Sequence, residues 1–255
     1  MTGERESILQ DTANHILDAR RTGRLMDELP AGLIPANMDE VYAVQDIVAG
    51  AYGPIGGWKI GAPTPEATPL FAPMPAAWIA ADGSLLSGER WRFRGLEAEI
   101  AFLVGEDLPP RSVPYTREEV IAAMASCHPA IEVLEVAFTD VTKVTRLSSF
   151  ADLQMHGGFV YGPAYPGWQS VDFNAEHVAL TVDGVIRVER TGSNTSGDLV
   201  KLLPWLANEG AARTGGLRKG QWITTGSWTG NTPSSPGSSV EVRFSTVGCV
   251  SLRFA

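Results

Sequence analysis

The chain has 255 residues, 44% of them apolar, with 27 glycines and 17 prolines, which allows a sizeable core and many turns. Its formal net charge of −9 argues against nucleic acid as the main partner, and its two cysteines against a disulfide framework. No window of about 18 apolar residues marks a transmembrane helix, and the charged start "MTGERESILQ" lacks an apolar signal core, so a cytoplasmic protein without a membrane partner is expected.

Residues 4 to 29 read as a helix, because Ile8, Ala13, Ile16, Leu17, Ala19 and Leu25 fall near helical spacing among charges. "NMDEVYAVQDIVAGAYG" reads as a second helix, capped by Asn37 and stopped by Gly53-Pro54. In "GGWKIG", Lys59 sits between Trp58 and Ile60 in an apolar stretch, where an unpartnered lysine costs free energy. The proline-rich "APTPEATPLFAPMPAAW" excludes a regular helix or a central strand and reads as a loop over the surface or along a cleft.

"LEAEIAFLVG" reads as a buried strand. "TREEVIAAMASC" reads as a helix opened by a capping box of Thr116 and Glu119, with Cys127 as a packed thiol at the helix end. "AIEVLEVAF" is β-rich, and Asp183-Gly184 between alternating runs marks a hairpin. A helix over residues 199 to 213 is expected to start near Pro204. "QWITTGSWTG" and "SSVEVRFSTVGCVSLRF" read as strands joined by turns. Early helices and late strands make an α+β chain with a β-rich core.

Glu97 and Glu99 are two residues apart, so on a strand they share a face that continues with Ala101 and Leu103. Two like charges on a buried face repel and lose hydration, and a hard divalent cation such as Mg²⁺ or Mn²⁺ removes both penalties. The other reading is a solvated edge strand with two glutamates. Glu132 and Glu135 supply a third acid, but they differ by three, so a strand points only one of them into a shared site; periodicity does not choose. No cysteine–histidine spacing suggests zinc, and His15, His128, His156 and His177 are scattered. "GSWTG" lacks the spacing of a nucleophile elbow, and "GPIGG" lacks the lysine of a phosphate loop.

Taken in order, "GWKIG", "LEAEIAFLVGEDL", "PAIEVLE", "ADLQMHGGFVYG", "LPWLANEGAARTGGLRKGQWITTGSWTG" and "GCVSLRF" resemble the 2-keto-4-pentenoate hydratases of the fumarylacetoacetate hydrolase superfamily. That group also contains 2-oxo-hept-4-ene-1,7-dioate hydratases and 4-oxalocrotonate decarboxylases. The resemblance implies a β-rich roll with N-terminal helices. Residues 1–60 would be a helical segment packed on a catalytic core of residues 61–255, together one structural unit. It implies Glu97, Glu99 and Glu132 as ligands of Mg²⁺ or Mn²⁺, selecting Glu132 over Glu135, and Lys59 as the active-site lysine. A small 2-oxo acid would be the partner and a homo-oligomer the assembly.

The implied activity is that of a hydro-lyase in aromatic catabolism. It acts on a 2-oxo or 2-hydroxydienoic acid through a metal-stabilised enolate and adds water at C4. Decarboxylation, C–C hydrolysis of an acylpyruvate-like diketone, or a non-catalytic role as a metal-dependent oxo-acid binder or partner of an active paralogue are the alternatives. Burial is expected to tune the pKa of Lys59 downward for proton donation. The family's loop acid is replaced near Leu70, which leaves Glu66 as a substitute, and the family's small hydroxyl residues are replaced by Met155 and His156. Lys59, Glu66 and His156 are thus the expected catalytic residues. Lys59, Met155, His156, Trp228 and Thr229 are the expected substrate contacts.

Overall fold

Five α-helices, two of them long and three short, thirteen strands and seven 3₁₀ or π turns make up the computed structural model, which describes residues 3–255. Helix α1 spans Gly3–Thr22 and α2 spans Met38–Gly50. The first stops seven residues before the sequence suggests, because Gly23 turns the backbone left-handed (φ 74°) and the chain then pairs Met26 with Phe138. Asn37 caps α2 as expected, its side chain accepting from the N–H of Glu40 at 3.0 Å.

Strands β1 (Ile55–Gly61), β2 (Leu70–Pro75), β3 (Ile79–Ala81) and β4 (Ser84–Leu86) come next, and then the ten-residue β5 (Gly95–Val104). The proline-rich segment is therefore not wholly loop. Leu70–Pro75 forms the edge of a sheet, where Pro73 and Pro75, which have no N–H to donate, are tolerated because the strand has a neighbour on one side alone. Strand β1 crosses residue 60, where the sequence places the change from helical segment to core.

The capping box of Thr116 and Glu119 opens α3, but α3 covers only Arg117–Ala122. Met124–Leu134 is strand β6, which pairs antiparallel with β5 from Gly95↔Leu134 to Val104↔Met124. Ten paired residues outweigh helix propensity, so Cys127 is a buried strand residue and not a helix-end thiol. Helix α4 (Arg146–Ala151) and β7 (His156–Tyr161) follow, then the hairpin of β8 (His177–Val182) and β9 (Val185–Thr191). Asp183 (φ 53°) and Gly184 (φ 74°) make the expected turn of that hairpin.

The helical run over 199–214 begins at Leu199 and not at Pro204, because Asp198 caps it, accepting from Val200 N at 3.1 Å. Pro204 lies inside α5 (Leu202–Trp205), and a π turn and a 3₁₀ turn carry the run to Gly215. Strands β10 (Trp222–Thr224), β11 (Thr232–Pro233), β12 (Ser239–Phe244) and β13 (Gly248–Phe254) complete the chain.

One sheet has the order β2-β1-β10-β5-β6-β7-β3, with β11 also on β5; the other runs β4-β13-β12-β8-β9. The main core, including Trp58, Ile100, Phe102, Val242 and Phe254, packs the sheets together. A second cluster seats α1 and α2 through Ile16, Val44 and Val48 on Phe138 and Leu153. The α+β reading of the sequence holds. No helix among the described residues is long and apolar enough to cross a membrane.

Candidate active site

The central strands of the larger sheet bring one lysine and three glutamates together. Register sets this up: Glu97 on β5 lies directly opposite Glu132 on β6, and Lys59 on β1 pairs with Thr224 on β10, the strand between β1 and β5. Glu97, Glu99 and Glu132 each offer an oxygen within 4.8 Å of the others. Lys59 Nζ lies 2.8 Å from Glu132 Oε1 and donates to the carbonyl of Gln154 at 3.0 Å. Glu99 accepts from the hydroxyl of Thr224 and from Gly226 N–H at 3.0 Å.

Two glycines make this geometry possible. Gly226 has φ 89°, a conformation that favours glycine, and so turns its N–H towards Glu99. At Gly57, any Cβ would lie 2.5 Å from the carbonyl oxygen of Trp222, so β1 could not approach β10 closely enough to place Lys59.

Like charges directly opposite on a sheet destabilise it, and the ionisation of these acids shows the tension. Burial, reinforced by the charge of Glu132, raises the Glu97 carboxyl to about 7. Glu99 is pushed well above the ordinary carboxylate range by burial and by Glu132 and Glu97. Burial also works against Glu132, but the Lys59 ammonium and the hydrogen bond from His156 prevail and hold it down at about 2. Lys59 itself moves upward, not downward as burial alone suggests, because three carboxylates outweigh the loss of hydration.

A cavity of about 310 Å³ opens on this cluster. Beyond the lysine and the glutamates, its wall includes Leu70, Arg146, Phe150, Gln154, Thr195 and Ser227. Glu66 is exposed and lies outside that wall. Leu70, near the place of the family's loop acid, is in it.

His156 is fully buried behind Glu132 and does not line the cavity. Its Nδ1 lies 2.8 Å from Glu132 Oε1. Burial lowers its pKa, so the neutral ring carries its proton on Nδ1, the atom facing an oxygen that can only accept. Met155 lies outside the wall as well. Trp228 is buried, edge-on to Phe244 at 5.4 Å, and the Thr229 hydroxyl accepts from Ala98 N at 3.1 Å, so both belong to the packing beneath the site.

Leu153, Gln154 and Met155 take positive φ in succession (52°, 51° and 66°). Each such residue costs about 1 kcal/mol or more. The bend presents the Gln154 carbonyl to Lys59, and the Gln154 side chain braces it by donating to the carbonyl of Phe71 at 2.7 Å. Glu135 points elsewhere, its carboxylate accepting from the N–H groups of Arg92, Phe93 and Arg94 at 2.8–3.1 Å. His128 bonds Ser126 and the Gly162 carbonyl, away from the cavity.

Arg146, Phe150 and Gln154 escaped the sequence reading. Thr145 followed by Ser148 was the available signal for the first two. Thr145 caps α4, and the i, i+4 spacing sets Arg146 beside Phe150, its guanidinium 4.9 Å from the ring centre. Nothing local announces the left-handed Gln154.

A family model described as fumarylacetoacetate (FAA) hydrolase C-terminal matches residues 55–255. The chain belongs to this family. It is 25% identical over 187 residues to a 4-oxalocrotonate decarboxylase of Pseudomonas putida, covering 73% of this chain and 70% of the relative. It is also 25% identical over 252 residues to 2-keto-4-pentenoate hydratase 1 of Dechloromonas aromatica (strain RCB), covering 93% of each. The structure of 4-oxalocrotonate decarboxylase from Pseudomonas putida G7, complexed with magnesium and adipate, superposes with a TM-score of 0.84 at 24% identity, over 100% of this chain and 99% of that one. The FAA hydrolase fold is thus shared, and the family relatives named here are a hydratase and a decarboxylase.

The residues present suit a hard divalent ion. The donors are carboxylates, their oxygens converge, and Glu132 Oε2 is buried with no hydrogen-bond partner.

Proposed function

We propose that this protein is a divalent-metal-dependent lyase that interconverts the keto and enol forms of a 2-oxo or 2-hydroxydienoic acid and adds water at C4. One observation carries the reading: Lys59 and three converging glutamates share one cavity. Glu97, Glu99 and Glu132 would hold Mg²⁺ or Mn²⁺. When bound, the ion supplies Lewis-acid stabilisation of negative charge developing on the acid's 2-oxygen. The decarboxylase of this fold was solved with magnesium in one complex and with calcium in another, which supports the class of ion.

The chain's own groups do the rest. Lys59 keeps its proton on Nζ at neutral pH and brings a positive charge to the same place. The Gln154 carbonyl fixes its direction. Leu70, Ile60 and Phe150 exclude water from part of the wall, and the Thr195 and Ser227 hydroxyls orient a polar substrate. Arg146 sits exposed at the cavity and pairs with no carboxylate among the described residues, so it draws anionic substrate in.

Decarboxylation is the second reading, favoured by a specific observation. The only carboxylates in the cavity wall among the described residues are the three converging glutamates, and Leu70 stands near the place of the family's loop acid. Water addition needs a group to take and deliver protons, whereas loss of carbon dioxide needs only a sink for the electron pair.

Proton exchange at C3 of 2-oxobutanoate in deuterated water, followed by NMR, tests the proposal. Exchange that requires Mg²⁺ or Mn²⁺ is expected. Tight binding of the acid without exchange would replace the enzyme by a binder. Product analysis on a dienoate then separates water addition from carbon dioxide release.

A further inference from the structure

A second cavity, also about 310 Å³, has Glu135 in its wall and shares no lining residue with the first. Arg20, Arg21, Arg90 and Arg92 line it, with Tyr52 and Trp78. An acidic chain with 20 lysines and arginines thus spends four arginines on one hollow.

The charges in it do not balance. Arg20 is neutralised by a buried ion pair with Asp152 and also donates to the carbonyls of His156 and Glu135. Glu135 and Glu89 also line the cavity and add negative charge, but Glu135 is turned to three backbone N–H groups and Glu89 is exposed and in no ion pair, so neither is paired with a guanidinium among the described residues. The guanidinium groups of Arg21, Arg90 and Arg92 form no ion pair with a carboxylate within 4.0 Å among the described residues.

Arg90 is the sharpest case. Its guanidinium carbon lies 4.3 Å from the Trp78 ring centre and 4.5 Å from that of Trp91, and it donates to the Gly157 carbonyl. Burial, with the charge of Arg20, brings its pKa down to about 10. Two indole faces offset only part of the lost hydration, and a cation kept from water calls for an anion.

We propose that this cavity is a binding site, separate from the acid cavity, for a compact dianion carrying two or more anionic oxygens, held by Arg21, Arg90 and Arg92. Planar N–H forks suit carboxylate and phosphate alike. Tyr52 and Trp78 offer an apolar wall to the body of the ligand.

Calorimetric titration of the Mg²⁺-saturated protein with inorganic phosphate, and separately with succinate, tests the site. One anion per chain is expected, with affinity falling as salt rises. Binding should weaken about tenfold or more in Arg90→Met and in Arg21→Glu, and should be unchanged in Arg146→Leu, which alters the other cavity. Arg21 is exposed, so Arg21→Glu decides alone if Arg90→Met does not fold. Saturation by phosphate, by succinate or by both supports the site and separates the sources. No saturable binding of either anion up to tens of millimolar overturns it. So does binding lost in Arg146→Leu but kept in the two cavity variants.

Discussion

Glu132 and Glu135 leave the end of one strand three residues apart and enter opposite surroundings. Around Glu132 carboxylate is in excess, with Glu97 and Glu99 beside it and Lys59 as the cation in contact with it. Around Glu135 guanidinium is in excess, with four arginines on one cavity. The two excesses do not cancel, because the rings of His156 and Trp78, 5.8 Å apart, stand between Glu132 and Arg90. Both acids are buried, so burial is not what separates them. Glu135 has its oxygens filled by backbone N–H groups, whereas Glu132 keeps one buried oxygen without a partner. A completed carboxylate anchors the chain, and an incomplete one awaits a ligand.

The largest break of this contrast is Lys59→Met, which removes the cation paired with Glu132 and leaves Arg146 at the cavity wall. Enolisation should fall roughly a hundredfold or more, while the fold and metal binding survive. C3 exchange and calorimetry read the two separately, and full exchange in this variant would remove the lysine from the mechanism.

Glu132→Gln and Glu135→Gln test the two acids against each other. The first should weaken Mg²⁺ or Mn²⁺ binding by at least the 10- to 100-fold typical of a change one shell further out. The second should leave metal affinity in place but cost about 2 kcal/mol of stability, since hydrogen bonds to a charged acceptor are lost. Calorimetry and denaturant unfolding check the pair; equal metal affinity in both variants would erase the distinction.

A subtler effect is set by pH. In the metal-free fold Glu97 holds its proton up to about 7, against 4.5 for the ordinary carboxyl. The folded state therefore binds more protons than the unfolded one in that window, and this group's contribution to stability declines as pH rises through it. The melting temperature of Glu97→Gln relative to wild type should climb between about pH 4.5 and 7 and then level off. Metal uptake at about pH 6 should release a proton that uptake at about pH 8 does not, a difference that calorimetry in buffers of unlike ionisation heat detects.

The smallest effect belongs to His156→Ser. With its Nδ1–H on Glu132 and its ring outside the cavity, it should lower metal affinity by about tenfold and leave the ranking of 2-oxo acid substrates as it was. A reordered ranking would put the ring back in contact with substrate.

Much of the fold was legible because it rests on local rules. The Asn37 cap, the capping box at Thr116 and the Asp183-Gly184 turn are decided by neighbours in the chain. The strand over Glu97 and Glu99 was legible too, since period-two alternation fixes which side chains share a face. Met124–Cys127 was misread because helix propensity there is real, and only the partner strand β5 overrides it.

By itself, then, the sequence determined the α+β class, the family motifs and the pairing of Glu97 with Glu99 on one face. The tertiary structure alone decided what each charge meets. Lys59 rises in pKa because strand order sets it against three acids. His156 lies behind Glu132 because a run of left-handed residues precedes β7, and Arg146 reaches the cavity because α4 docks there, held by Gln45 on the Phe150 carbonyl. Charge–charge energy depends on distance through space and on the water excluded between groups, and neither quantity is a property of spacing along the chain.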